Sequence, residues 1–132
     1  MRWLPALLLV LLVLPGCRAD LPVGGEAACG GGAIEPTPER VARAMRFAAL
    51  APLPGGASVV RLETESGIDT WLRIAVRLPA AGVDPWLAAS GAATDGPPQR
   101  LANPDGAVVT RDARTAAVGP GLVEVTVTAF TT

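Results

Sequence analysis

The clearest hydrophobic pattern in the chain lies in "WLRIAVRLP", residues 71–79, where Leu72, Ile74, Val76 and Leu78 alternate with Trp71, Arg73, Ala75 and Arg77. A period of two is that of a half-buried strand, because successive side chains point to opposite faces of the sheet. The preceding "SVVRLETES" repeats the pattern, with Val60, Leu62 and Thr64 opposite Val59, Arg61, Glu63 and Glu65. "GID" joins the two as a hairpin. Both apolar sets are even-numbered, so the numbers of paired residues must sum to an even number. A sum of 136 sets Glu63 against Arg73 and leaves a three-residue loop, Gly67–Asp69. Sums of 134 and 138 would set Arg61 against Arg73 or Arg77, and like charges directly opposite destabilise a sheet. The expected register is therefore 136.

Before this hairpin, "TPERVARAMRFAAL" predicts a helix. Thr37 can accept from a free N–H of the first turn, and Pro38 occupies the first helical position, where its missing donor costs nothing. Val41, Ala44, Met45 and Ala48 fall on one face, and Pro52, Pro54 and Gly55-Gly56 end the segment. After the hairpin, "GVDPWLAASG" predicts a second helix capped by Asp84, with Pro85 first and Gly91 as its stop. Trp86 and Leu87 are its main apolar residues. A loop follows, ending in the turn Asn103-Pro104-Asp105-Gly106, then a weak strand from Ala107 to Arg111. "LVEVTVTAF" closes the chain as a strong strand, with Val123, Val125, Val127 and Ala129 alternating against Glu124, Thr126, Thr128 and Phe130. The order α-β-β-α-β-β places the chain in the α+β class. The expected architecture is a two-layer sandwich, a four-stranded, mostly antiparallel sheet with two helices on one face.

The N-terminus follows another pattern. Arg2 precedes an apolar stretch from Trp3 to Leu14, interrupted by Pro5 and ended by Pro15-Gly16. A bilayer-spanning helix needs about 20 apolar residues, so this stretch is too short and fits a secretory signal peptide. Leu14-Pro15-Gly16-Cys17 resembles the lipobox of bacterial lipoproteins, with Pro15 where Ala or Ser is usual. The resemblance implies cleavage before Cys17 and a diacylglyceryl group on its sulfur, which supplies the two chains that stable anchoring requires. Ordinary cleavage nearby, after Ala19, would instead release a secreted protein. The chain thus divides into a signal peptide (1–16), a lipid-anchored tether (17–36) rich in Gly, Ala and Pro, and one α+β domain (37–132). The run "LPGGASVVRLETESGIDTWLRIAVRLPAAGVDPWLAASG", with the terminal "VEVTVTAFTT", is similar to small exported actinomycete lipoproteins of unassigned function. That similarity implies export and lipid attachment, and no activity.

Composition narrows the chemistry. Beyond residue 16 the chain carries ten Arg, no Lys and twelve acidic residues, a net charge of −2, which gives no basic footprint for nucleic acid. With no His, Lys or Tyr there, neither a Ser-His-Asp, a Cys-His nor a Ser-Lys device can be assembled. A lone unlipidated cysteine without histidine excludes the ordinary structural zinc sites, and no phosphate loop follows a strand. No cofactor is expected. Asp95, Asp105 and Asp112, in or near loops, are the candidates for an acid/base hydrolase pair or for binding a cation; their spacing fits no Ca²⁺ loop, and turn and solvent roles account for them. Cys29, in "GEAACGGGA", is an incidental linker cysteine, a free thiol or an intermolecular one. If Cys17 is not lipidated, a Cys17–Cys29 loop is open to it.

Trp71 falls on the polar face of its strand, beside Arg73 and near Glu63 and Glu65, where it is either covered by a loop or by local stacking on Arg73, or free to meet a partner. Trp71, Arg73, Arg61 and Glu63 define the expected interaction face. The expected role is a non-enzymatic module held by lipid on the extracytoplasmic side of the cell membrane, meeting an envelope protein partner. A small-ligand-binding envelope protein centred on Trp71 is the alternative.

Overall fold

The computed structural model describes residues 32–131, so the stretch read as a signal peptide, Cys17 and Cys29 lie outside the described residues. The elements are β1 (Gly32–Ala33), α1 (Pro38–Phe47), β2 (Ser58–Ser66), β3 (Thr70–Pro79), α2 (Ala80–Ala89), β4 (Gln99–Ala102), β5 (Val108–Gly119) and β6 (Leu122–Phe130). The strands form one sheet in the order β1-β2-β3-β6-β5-β4, with every neighbouring pair antiparallel. Both helices pack on the same face, where Met45 of α1 and Trp86 of α2 share a core with Leu62, Ile74, Val76, Val125 and Val127.

The α+β class and the one-sided helices are those expected. The strand count is not: the sheet has six strands instead of four. The two additions are short edge strands. Gly32–Ala33, within the stretch read as a tether, pairs with Thr64 and Glu63 of β2. Gln99–Ala102, read as loop, pairs with β5. Neither has enough residues to display a period, and β4 alternates only weakly.

The β2–β3 hairpin has the expected register, with Leu62 opposite Ile74, Glu63 opposite Arg73, and Ser66 opposite Thr70 across the loop 67–69. Val60 departs from expectation. A bulge between Val59 and Arg61 shifts the register to Val59 opposite Val76, so Val59 packs on the core and Val60 is 43% exposed. The extra residue flips the parity of everything before it.

Helix α1 starts as predicted, with the Thr37 hydroxyl accepting from the Arg40 N–H at 3.3 Å. It stops earlier, at Phe47, without waiting for Pro52. Ala49 adopts φ +53°, its N–H donates to the Arg46 carbonyl, and the Leu50 N–H donates to the Met45 carbonyl. That is a Schellman ending with alanine where glycine is usual. Helix α2 ends in the same way, Gly91 at φ +62° and the Ala92 N–H on the Leu87 carbonyl, so the predicted stop is correct. Its start is not. The helix begins at Ala80, directly after β3, and Pro85 lies inside it instead of at its first position. No side chain caps it, and the Ala80 N–H donates to the Gly121 carbonyl instead. Val83, Trp86 and Leu87 are its buried face, and Trp86 Nε1 donates to the Ala51 carbonyl at 2.9 Å.

Where the two helices end, an arginine joins them. Arg111 of β5 faces inward between Val109 and Ala113 and is 2% exposed. One terminal guanidinium nitrogen donates to the carbonyls of Ala48 (3.1 Å) and Ala49 (2.6 Å), the other to the Ser90 carbonyl, and Nε to Gln99 (3.4 Å). Its partners are the unsatisfied carbonyls at the negative ends of two helix dipoles, which suit a cation. Burial pulls the Arg111 pKa down, but a guanidinium stays charged in proteins.

Candidate interaction face

Among the described residues the opposite face of the sheet carries no helix, because both described helices belong to the core on the inner side. Antiparallel pairing sorts its side chains into rows across the strands. Nearest the β2–β3 loop, Glu65, Trp71, Phe130, Thr110 and Arg100 lie side by side. The next row holds Ala33, Glu63, Arg73, Thr128 and Asp112. Behind it come Arg61, Ala75, Thr126 and Arg114, then Arg77, Glu124 and Ala116.

The four residues expected to form an interaction face are thus gathered on adjacent strands of one surface. Trp71 is half-buried, and the Arg73 guanidinium lies 4.9 Å from its ring centroid. Such a stack is worth about 0.5–1 kcal/mol at an exposed site. Arg73 also reaches Glu63 at 3.5 Å. Arg61 is exposed and makes no ion pair with a described residue. Further along, Arg77 pairs with Glu124 at 3.0 Å and Arg114 with Asp112 at 3.1 Å. Partly exposed pairs of this kind contribute roughly 0–1 kcal/mol each, so they set the charge pattern of the face more than they hold the fold. Ala75 lies on this face yet is 1% exposed, set among the longer side chains of Arg73, Arg77 and Arg61.

Sequence reasoning missed Phe130 as a neighbour of Trp71. The alternation in β6 assigned Phe130 to the outer side, but only the non-local β3–β6 pairing brings it against Trp71. Val108 is likewise an outer-face residue, 48% exposed.

The three carboxylates considered for acid/base chemistry are engaged separately. Asp105, in the turn before β5, meets Arg46 of α1 at 2.7 Å, and this hydrogen bond holds its carboxyl below the ordinary range. Asp112 pairs with Arg114 on the outer face, and Asp95 accepts from the Thr115 hydroxyl at 3.3 Å. Among the described residues no three acidic, histidine or cysteine side chains are grouped as a metal site would need. A depression of about 520 Å³ at the start of α1, lined by Thr37, Pro38, Glu39, Arg40 and Arg43, is formed by one stretch of chain and is open to solvent. No described helix is long and apolar enough to cross a membrane.

Compared with known proteins, the chain matches no family model, no curated protein and no solved structure.

Proposed function

We propose that this chain is a lipid-anchored, non-enzymatic interaction module on the extracytoplasmic face of the cell membrane. A diacylglyceryl group on Cys17 holds it there, and the outer sheet face around Trp71, Arg73, Arg61 and Glu63 meets an envelope protein. The observation that carries this reading is the sheet face that no described helix covers, where the register sets two aromatic residues, Trp71 and Phe130, opposite each other beside alternating charges. Aromatic and arginine side chains on a flat surface are the groups that most often anchor protein contacts. Capture of partners from detergent-solubilised native membranes tests it. The wild-type chain should retain an envelope protein that the doubly substituted Arg61→Glu/Trp71→Ala chain loses, and retention of the same set by both chains would refute it.

A second reading, a small envelope ligand bound at Trp71, is favoured by the half-exposed Trp71–Phe130 pair, a surface on which a flat ligand can stack. It predicts a ligand-induced rise in Tm that Trp71→Ala abolishes. A ligand panel that leaves both Tm and Trp fluorescence unchanged removes it.

A further inference from the structure

A strand at the edge of a sheet presents unpaired N–H and C=O groups that can take another strand, and folded proteins blunt such edges. This sheet blunts most of its own. β4 has four residues and stands between Pro98 and Pro104, and β1 has two. The part of β2 that β1 does not reach carries the bulge between Val59 and Arg61, which twists the edge away. β5 is different. It runs for 12 residues, yet β4 pairs only with its first four, Val108 to Arg111, and a single bridge from Thr94 reaches Ala113. From Arg114 to Val118 no described residue pairs with that edge.

The pairing fixes which backbone groups point outward there. Successive residues of a strand turn their N–H and C=O to opposite edges. The Ala113 carbonyl accepts from the Asp95 N–H, on the side away from β6. Odd-numbered residues of β5 therefore face the open edge, and even-numbered ones face β6. Thr115 and Ala117 thus hold two donors and two acceptors toward the edge. Arg114, Ala116 and Ala117 are exposed and Val118 is 39% exposed. The stretch contains no proline and no lysine to discourage a neighbour.

We infer that this edge pairs with the same edge of a second copy, antiparallel, about a two-fold axis at Ala116. The stretch is self-complementary about that axis and no other. Thr115 meets Ala117 of the second copy, and Ala117 meets its Thr115, so every outward donor and acceptor finds a partner. Ala116 faces itself as a non-hydrogen-bonded pair, where Cα atoms stand only about 4.5 Å apart and a methyl group fits. Arg114 faces Val118, so no like charges are opposed. An axis at Thr115 would need the Ala113 carbonyl, which Asp95 already occupies. An axis at Ala117 would set Thr115 against Gly119, which the bulge between Ala117 and Gly119 puts out of register. The ends match as well. Opposite Ala113, where the Thr94 bridge closes the edge, stands Gly119 of the second copy, where that chain turns into β6. Such a contact is isologous and closes as a dimer, and its short length makes it weak and concentration-dependent. The six strands of each copy join into one sheet with both outer faces on the same side, which presents the Trp71 surface twice.

Disulfide trapping of the full chain tests this. Single cysteines are placed on the edge in a Cys29→Ser background, and the cell fraction that holds the protein is treated with a mild copper oxidant. Ala116 and Arg114 are exposed, so their replacement leaves the fold and Tm in place. Ala116→Cys should give a disulfide-linked dimer of twice the monomer mass, because its two copies lie within the span of the bond. Its yield should exceed that of Arg114→Cys by roughly tenfold, since the two copies of residue 114 lie about 14 Å apart across the axis, beyond that span. Val118→Cys should likewise fail alone, and the double variant Arg114→Cys/Val118→Cys should link, because the register sets those two positions opposite each other. Absence of a dimer in Ala116→Cys overturns the pairing. Equal yields at positions 114 and 116 also overturn it, since they mean random collision. A link from Ala116→Cys to a different protein overturns the second copy as the occupant and assigns the edge to another chain. None of these outcomes touches the anchor reading, which the mass of the chain decides separately.

Discussion

Arg111 is the residue whose replacement tells most about how the domain is held together. It is buried, and its guanidinium donates to the carbonyls of Ala48, Ala49 and Ser90 and to Gln99, tying β5 to the ends of both helices. Replacement by Met fills most of the same volume, so no large cavity opens, but every donor is lost. Hydrogen bonds from a charged donor contribute about 1.5–3 kcal/mol each. The desolvation of the guanidinium, several kcal/mol, offsets part of that sum. Removing one partner from a buried charged network costs about 3–5 kcal/mol in net terms, and three neutral carbonyls left behind place Arg111→Met near ~3 kcal/mol. For a domain of this size 1 kcal/mol moves Tm by about 4–8 °C, which predicts a fall of roughly 12–24 °C. Lysine retains the charge but offers a compact ammonium that cannot span both helix ends, so Arg111→Lys should lose about half as much. Urea unfolding followed by Trp86 emission measures both, because Trp86 sits at this junction through its bond to Ala51. An Arg111→Met protein within about 1 kcal/mol of wild type would refute the reasoning, since the clamp would then do no more than offset its own desolvation.

Other expectations follow from the same packing. Both Schellman endings favour glycine over alanine: Ala49→Gly relieves a left-handed alanine and should stabilise by about 0.5–1 kcal/mol, whereas the reverse exchange Gly91→Ala creates one and should destabilise by about 1 kcal/mol. Thermal unfolding of both proteins checks this, and equal signs would contradict it. Asn103 is buried, its side-chain oxygen accepts from the N–H groups of Asp105 and Ala107, and its amide donates to the Phe47 carbonyl. Asn103→Ala should therefore cost about 2–3 kcal/mol in urea unfolding, and a loss below about 0.5 kcal/mol would contradict the bonding described. The Arg46–Asp105 pair lowers the Asp105 pKa in the folded state, so its contribution is present above the unfolded carboxylate value of about 4 and is lost as pH falls through the lower folded value. Asp105→Asn should remove that part of the acid sensitivity of Tm while leaving the rest of the curve in place.

Much of this architecture is legible in the sequence where local pattern and local chemistry agree. The β2–β3 register follows from the parity of Leu62, Ile74 and their neighbours together with the opposition of Glu63 and Arg73. The cluster of Trp71, Arg73, Arg61 and Glu63 follows from that register alone. Failures occur where two signals compete. The adjacent Val59 and Val60 fit either parity, so the bulge that exchanges them leaves no trace in the pattern. Asp84-Pro85 carries the chemistry of a helix start, yet the helix is already under way because Val83 must share a buried face with Trp86 and Leu87. The β5 strand runs on to Gly119 through small residues, Ala113, Ala116 and Ala117, whose alternation in size is too slight to register. Arg111 has the parity of Val109 and Ala113, and thus of the core. Its charge argues for the opposite face, and only the meeting of two helix ends makes the inward position tolerable. The opposition of Trp71 and Phe130 depends on pairing across 59 positions of chain, which no local window contains.

The central claim, an interaction module anchored through Cys17, is tested most directly by the intact, non-reduced mass of the protein taken from its native membrane fraction. The account predicts a chain that begins at Cys17 and carries a diacylglyceryl group. A lipid-free chain beginning further along, recovered from the medium, would contradict it and make the protein a secreted one.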